Sequence, residues 1–412
     1  MAYFKHAELA RQYHVALKTV YNWIEAAKQG KIDLELIEQR ARTYIVDKQS
    51  NVATLRQLAQ EGKKYRNTRF QKVIIPKPEF YDLYNRQQIL NIITNLKVHG
   101  EIPRQYNYFN GGAVNWDRRM QSDAEEVGLN NMLKGSLELI HTNMGAVDHL
   151  IEGYDRINIV DVGPGNAMPV RELVEHLVER GSLHRYIAID VSKEMLRIAE
   201  RNIKDWFGGK VAFESHVRDI SYERFNDVLV DDMLDEEADK TLNLMLLLGG
   251  TPLNFPNFAD PLKVIYGSMG ANDLLVYTEK PDTEAARRYF ESNPTPTSSK
   301  LSPGYRLVPE LLNITDDLYD TEMGFDEHQR MRYVRIRLNT ALTIRFQFEH
   351  GRRDVDLEKG STILLLRVWH KSALETIAEF QRTGLTLLQS SMTSDKNYIL
   401  TIFGVGEAVT DI

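Results

Sequence analysis

The sequence predicts an α/β protein: a doubly wound parallel sheet, carrying an inserted α+β subdomain and preceded by a small winged helix-turn-helix. Three observations lead there. Between Ile157 and Lys280, short β-rich runs alternate with amphipathic helical stretches, the pattern of a parallel sheet covered on both faces. A glycine turn, Gly163-Pro-Gly165, sits where the first of those runs passes into a helical pattern. Ahead of both, residues 1–75 hold 14 Lys and Arg against 7 Asp and Glu, a net +7 that leaves −14 for the rest of a chain whose total is −7. That asymmetry suggests a basic module attached to an acidic body.

A chain of 412 residues exceeds what one hydrophobic core usually organises, so more than one domain is expected. The expected divisions are residues 1–75 for the helix-turn-helix, 76–156 for a helical lid or substrate region, 157–291 for the cofactor-binding core, 292–370 for a substrate subdomain and 371–412 for a closing helix and hairpin. Apolar residues make up 42%, and no run approaches the roughly 18 uninterrupted ones of a membrane span. With a charged start, MAYFKHAELARQY, a cytoplasmic protein with no membrane partner is expected. The absence of cysteine excludes disulfides, thiolate metal sites and cysteine nucleophiles.

In the first module, HAELARQYHVALKTVYNWIEAAKQGKI places Leu9, Ala10, Val15, Val20 and Ile24 on the inner faces of two short helices joined by a tight turn. A β-rich wing with Tyr44 and Val46 follows, then a helix beginning after Ser50. This arrangement resembles the winged helix-turn-helix of the excisionase and MerR type, except that His14 stands where the turn often has glycine. The resemblance implies a second helix in a DNA major groove, with Lys18, Thr19, Tyr21 and Asn22 near the bases and Arg42, Lys63, Lys64 and Arg66 near phosphates. A helical hairpin that pairs two copies into a homodimer fits the same pattern.

Past Pro76 and Pro78 the pattern is mostly helical to residue 156 and rich in aromatics (Tyr81, Tyr84, Tyr106, Tyr108, Phe109, Trp116), broken by a loop at Gly111-Gly112. INIVDVG, YIAIDVS, VAFESHV, LNLMLLLGG and DLLVYTE are the expected strands of the sheet. A Pro, Ser and Thr-rich loop starts at Ser292, a meander of antiparallel strands begins at Tyr333, and a helix, SALETIAEFQRTG, precedes the hairpin LTLLQSSM and NYILTIFGV.

The first strand running through Gly163 and Gly165 into a helix with Val170, Leu173, Val174 and Leu177 at helical spacing lets backbone approach a ligand lying across the strand ends. A nicotinamide fingerprint would need a third glycine where Met168 stands, which argues against a dehydrogenase. Asp190 at the end of the second strand can accept both hydroxyls of a ribose. Asp219 after the third can accept an adenine amine, and Asp161 at the end of the first can face an ammonium. Strand, glycine turn, helix and acids in this order point to S-adenosylmethionine as the cofactor. Each acid alone would suit a helix cap or a loop end as well.

These residues resemble the histidine-specific methyltransferases, the family of the ergothioneine-pathway enzyme and of N-methyltransferases in ergot alkaloid synthesis, over roughly residues 80–405. DVGPGNA is similar to that family's first motif, AIDVSKEML to its second and LLLGGTPLNF to its LGSTIGNF segment. The resemblance implies a Rossmann-like class I methyltransferase sheet with an inserted substrate subdomain. It further implies that Asn254 holds the acceptor's amine beside the reacting methyl and that Tyr289 contacts substrate. Two departures stand out. Where the family has a Glu and a Ser that read imidazole, this chain has Leu366 and Val368; where the family commonly has a lysine after the glycine loop, the nearest cation is Arg171.

Methyl transfer from a sulfonium needs alignment and exclusion of water more than acid-base groups. The expected function is therefore N-methylation of a small, possibly amino-acid-like amine other than histidine, with aromatics of residues 80–120 closing the site. Two alternatives remain: methylation of DNA, although GGTPLNF lacks the D/N-P-P-Y/F of amino-methylating DNA enzymes, and a transcriptional regulator whose methyltransferase-like domain senses a metabolite. No metal is expected. The 11 histidines are scattered, and the acidic run from Asp231 lacks the glycine and spacing of a calcium loop.

Overall fold

The computed structural model describes residues 3–39, 42–69, 72–125, 131–230, 240–284 and 301–406. Two compact units divide the chain: Met1–Val73 with Thr340–Thr343 and Asp356–Glu358, and the remainder. No helix among the described residues is long and apolar enough to cross a membrane.

In the first unit, helices α1 (His6–Gln12) and α2 (Leu17–Lys28) are joined by a turn in which His14 adopts φ 54. The left-handed conformation expected of a glycine is thus taken by a side-chain-bearing residue, at a cost of about 1 kcal/mol. Strands β1 (Tyr3–Phe4), β2 (Leu36–Gln39) and β3 (Arg42–Val46) form an antiparallel sheet with β3 central, and α3 (Gln49–Arg69) follows. Leu9, Val20 and Ile24 are buried as their spacing predicts, but Ala10 and Val15 are only partly covered; Tyr13 and Trp23 fill the core instead. Positions 20, 23, 24 and 27 share one face of α2, so a large ring at 23 closes the layer that short side chains leave open. Lys18, Tyr21 and Asn22 are exposed and Thr19 is half-buried. Arg42 is exposed, and the side chains of Lys63, Lys64 and Arg66 lie outside the described ones.

The division between units falls within a short strand, β4 (Lys72–Ile74). The second unit opens with α4 (Pro78–Leu83), α5 (Arg86–Val98), α6 (Gly112–Glu125) and α7 (Met132–Leu150). Alternation then begins: β5 (Arg156–Val162), α8 (Arg171–Glu179), β6 (Leu183–Asp190), α9 (Lys193–Phe207), β7 (Phe213–Val217), β8 (Thr241–Leu247), α10 (Ala259–Tyr266) and β9 (Leu274–Glu279). After α11 (Pro303–Leu311) come β10 (Tyr319–Asp326), β11 (Met331–Leu338), β12 (Leu342–Phe348), β13 (Gly351–Leu357) and β14 (Thr362–Trp369), the first two residues of β12 and the last two of β13 being counted with the first unit. Helix α12 (Ala373–Arg382) and strands β15 (Leu385–Met392) and β16 (Ile399–Val405) complete the chain.

Seven strands form the main sheet in the order β15-β16-β9-β8-β5-β6-β7. β5 to β9 are parallel, and β16 is antiparallel to both β9 and β15. Ile157 and Ile159 enter the layer with α7, α8 and α9, whereas Val160 and Val162 enter the other with α10 and α12. Burial on both faces explains why the central strands are continuous apolar runs rather than alternating ones. The chain leaves β5 for β6 on one side and returns through β8 on the other, so a crevice opens outside the carboxyl ends of β5 and β8.

The strands after Tyr333 depart from a simple meander. β11 pairs with β10 and with β14, while β12 and β13 pair with each other in another sheet. Alternating residues determine which face of a strand is buried, but not which strand lies beside it.

Candidate active site

β5 ends in a turn that only a chain poor in side chains can make: Gly163 has φ 72 and Gly165 φ 57. A Cβ on Gly165 would stand 2.3 Å from the Trp116 ring of α6. That helix is pinned over the loop by Asp117, which accepts from Asn166 Nδ2 at 2.9 Å and from Arg201 at 3.3 Å. In front of the turn lies a cavity of about 470 Å³, lined by the glycine loop, by the ends of β5, β6, β8 and β9, and by residues of α6 and β14.

Asp161, Asp190, Asp219 and Asn254 all line this cavity with Gly163 and Gly165. Asp161 is buried and accepts the Tyr186 hydroxyl at 2.5 Å. Burial pushes its carboxyl up to about 7, against the pull of that hydrogen bond and with a contribution from Asp190. Burial likewise raises Asp190 to about 7, although the Ser192 and Val191 amides oppose it; the Asp219 charge adds to the rise. Two carboxyls driven toward neutrality in one cavity call for hydrogen-bond donors and a positive charge. A ribose diol and an ammonium supply both, and the side-chain-free turn admits a ligand against backbone, so these residues fit S-adenosylmethionine.

Asp219 is more occupied. Its Oδ1 accepts the Ser221 amide at 3.0 Å and hydroxyl at 2.5 Å, and its Oδ2 accepts the Tyr106 hydroxyl at 3.1 Å. Oδ1 thus accepts two hydrogen bonds, and Oδ2 retains a second lone pair for a further donor. Asn254 closes the 3-10 turn Thr251–Asn254 that follows Gly249 and Gly250 (φ 88 and 72) at the end of β8. Its Nδ2 donates to the Thr251 carbonyl at 3.3 Å, so that bond does not use Oδ1.

The remaining sequence expectations distribute unevenly. Of the aromatics in residues 80–120, Tyr108 and Trp116 line the cavity, whereas Tyr84 is buried and donates to the Tyr106 carbonyl at 2.7 Å. Val368 lines the cavity; Leu366 is buried in its own sheet. Arg171 stacks over Trp206 at 5.1 Å rather than joining the cavity lining. Tyr289 and the acidic run from Asp231 lie outside the described residues. Among the described residues no group of three or more His, Asp or Glu is disposed to hold a metal.

Sequence reasoning missed the basic residues: Arg104, Arg119, Arg218, Lys280, Arg332 and His370 also line the cavity. Arg104 lies between the Tyr108 and Tyr305 rings at 5.1 and 4.6 Å and donates to the Gly304 carbonyl at 2.6 Å. No periodicity marks these residues. They come from separated elements and meet only through the fold.

The profile of a family described as "Histidine-specific methyltransferase, SAM-dependent" matches residues 133–404. No curated protein matches the chain in sequence. Solved structures with some likeness include an S-adenosylmethionine-dependent methyltransferase from Clostridium acetobutylicum ATCC 824, at 12% identity and TM-score 0.38 over 72% of this chain and 98% of that one. The magnesium protoporphyrin IX methyltransferase of Synechocystis PCC 6803 with bound SAH gives 10% and 0.36 over 72% and 96%. A sugar N-methyltransferase from Streptoalloteichus sp ATCC 53650 gives 11% and 0.34 over 71% and 93%. At these scores the likeness says nothing of the acceptor.

Proposed function

The chain belongs to the histidine-specific, SAM-dependent methyltransferase family, and from that premise we propose that it N-methylates a small, amino-acid-like amine other than histidine. S-adenosylmethionine is its methyl donor. In this reading the backbone at Gly163 and Gly165 lies against the donor, Asp161 faces its ammonium, Asp190 accepts its ribose hydroxyls and Asp219 its adenine amine. When bound, the donor supplies a methyl on a positively charged sulfur, so the chain need not protonate a leaving group.

What remains for the protein is to present a neutral amine in line with that methyl and to keep water away. Asn254 Oδ1 would accept one N–H of the amine and so direct its lone pair. Trp116, Phe255 and Val368 would exclude water. The observation that carries this reading is that Asn254, on the turn after β8, and the glycine turn after the adjacent β5 line one cavity. Histidine is disfavoured because Val368, at a position that the family resemblance assigns to imidazole recognition, offers no hydrogen bond.

The test is turnover of labelled S-adenosylmethionine by the full chain against pools of amines. Label should appear in an N-methyl product, and Asn254→Ala should lower kcat by about 100-fold, the scale of losing one positioning hydrogen bond at the reacting atom. No incorporation into any amine would refute the reading.

A second reading concerns the first unit. Lys18, Tyr21 and Asn22 are exposed on α2 in a segment of net positive charge, which suits docking on DNA. A gel shift with duplex DNA that weakens with salt and with Lys18→Ala would support it; a salt-insensitive or absent shift would not.

A further inference from the structure

The start of α7 faces the cavity. Met132, Leu133 and Ser136 all line it, and Met132 and Ser136, four residues apart, share one face of the helix. A Cβ on Gly249, in the turn after β8, would stand 3.8 Å from Met132 Cγ, so the helix lies directly against that turn. A Cβ on Gly135 would stand 2.4 Å from the Tyr398 ring, and the missing side chain lets the helix settle at this depth. Ser136 is 1% exposed. A hydroxyl so placed takes its partners from the protein or from a ligand in the cavity.

The protein partners fix the direction of its proton. Ser136 Oγ and Thr278 Oγ1 lie 3.2 Å apart, and Thr278 Oγ1 accepts the Gly249 amide at 3.0 Å. Thr278, near the end of β9, is fully buried, and its hydroxyl has a single proton to give. Among the described residues, Ser136 Oγ is the acceptor within reach of that proton. If Ser136 donated to Thr278 instead, the Thr278 proton would be stranded in the interior, the costlier arrangement. The hydrogen bonds therefore run from the Gly249 amide to Thr278 and from the Thr278 hydroxyl to Ser136. The Ser136 proton is left to donate into the cavity.

The sheet order says which part of the methyl donor meets it. Asp190 ends β6 and Asp219 follows β7, both on one side of β5, whereas Gly249 follows β8 and Thr278 belongs to β9, both on the other. A methyl donor whose ribose and adenine lie toward β6 and β7 extends its methionine portion past β5 toward β8. Asp161 faces the ammonium there, and the remaining polar group is the α-carboxylate, which can only accept hydrogen bonds. We propose that Ser136 donates its hydroxyl proton to that carboxylate, with Thr278 as the residue that orients it. This deepens the reading of the cavity as the S-adenosylmethionine site and rests on it. An amino-acid acceptor carries the same chemical group, and the two sources are separated by measuring the methyl donor's product alone.

The experiment titrates the full chain by calorimetry with S-adenosylhomocysteine and with its decarboxylated analogue, which keeps the adenosine, the thioether and the amine. Ser136→Ala should weaken S-adenosylhomocysteine binding about 10-fold or more, the scale of one charge-assisted hydrogen bond, and binding of the analogue by less than about twofold. Ser136→Ala also strands the Thr278 proton. Ser136→Cys, of nearly the same volume and with only a weak S–H donor, is therefore measured beside it, and should show a selective loss in the same direction while melting like the wild type. Equal losses for the two ligands would give Ser136 a packing role alone. Unchanged affinity for S-adenosylhomocysteine would send its proton to another ligand, the acceptor's carboxylate included. Either result overturns the proposal and leaves the cofactor reading standing. Failure of the wild-type chain to bind S-adenosylhomocysteine at all would remove that reading as well.

Discussion

The indole of Trp116 occupies the space that a side chain on Gly165 would need: a Cβ there would stand 2.3 Å from the ring. Gly165 is also at φ 57, where any other L-residue is strained. Gly165→Ala should therefore cost about 1–3 kcal/mol in backbone strain alone and displace the ring that walls the cavity. The expected result is a lower melting temperature and at least a 10-fold loss of S-adenosylhomocysteine affinity by calorimetry. Unchanged affinity would mean that the turn does not bear on the donor.

Desolvation pushes the carboxyls of Asp161 and Asp190 up to about 7. The sign follows from where the protons sit. Between about 4 and 7 the folded chain without donor holds protons that the unfolded chain has released, so their contribution to stability is full below about 4 and is lost as pH rises through 7. A ribose hydroxyl and an ammonium prefer the ionised carboxylates, so donor binding should tighten from pH 6 to pH 8 with release of protons. Calorimetry in buffers of different ionisation enthalpy measures that release. Asp190→Asn should remove much of the pH dependence while weakening binding.

The buried pair of Glu101 and Arg367, 2.5 Å apart, joins the segment after α5 to β14. Glu101 is titrated upward by burial, and Arg367 pulls it back. Arg367 also lies 4.9 Å from the Trp369 ring centroid, and Trp369 Nε1 donates to the Phe255 carbonyl at 2.8 Å beside the acceptor end of the cavity. Removing one charge strands the other: Glu101→Ala should lose about 3–5 kcal/mol in denaturant unfolding, and Glu101→Ala with Arg367→Met should lose less than that. A double variant as unstable as the single one would contradict the account.

In the first unit, Asn51 is buried and serves three backbone groups. Its Nδ2 donates to the Val46 and Glu35 carbonyls at 2.8 and 3.1 Å, and its Oδ1 accepts the Glu35 amide at 3.0 Å. Asn51→Ala leaves all three without that partner, at about 1–3 kcal/mol for each group that water cannot reach. Amide exchange of the full chain should accelerate around β2 and β3 while β5 and β8 keep their protection. Uniform acceleration across the chain would show that the side chain supports more than its own unit.

The legible parts of the site share a property: each is a local consequence of backbone geometry. Gly163 and Gly165 stood out because a strand-to-helix turn with positive φ needs glycine, and Asp161 and Asp190 because they end strands whose apolar runs are plain in the sequence. Asn254 came through resemblance rather than pattern. Lys280, Arg332 and His370 carried no signal, since a lone cation after a strand is the commonest of surface features. Trp116 was visible as an aromatic, but nothing in the chain said that it would lie on Gly165.

Sequence alone determined the parallel strands, the glycine turn and the strand-end acids that line the cavity, because these depend on periodicity and on the conformations a residue permits. Tertiary structure alone decided that β14 lies against β11 with Val368 opposite Arg332, that Lys280 joins them, and that Tyr13 and Trp23 close the core of the first unit. Strand partnership and the meeting of distant side chains are set by the free energy of packing the whole unit, which no local segment contains.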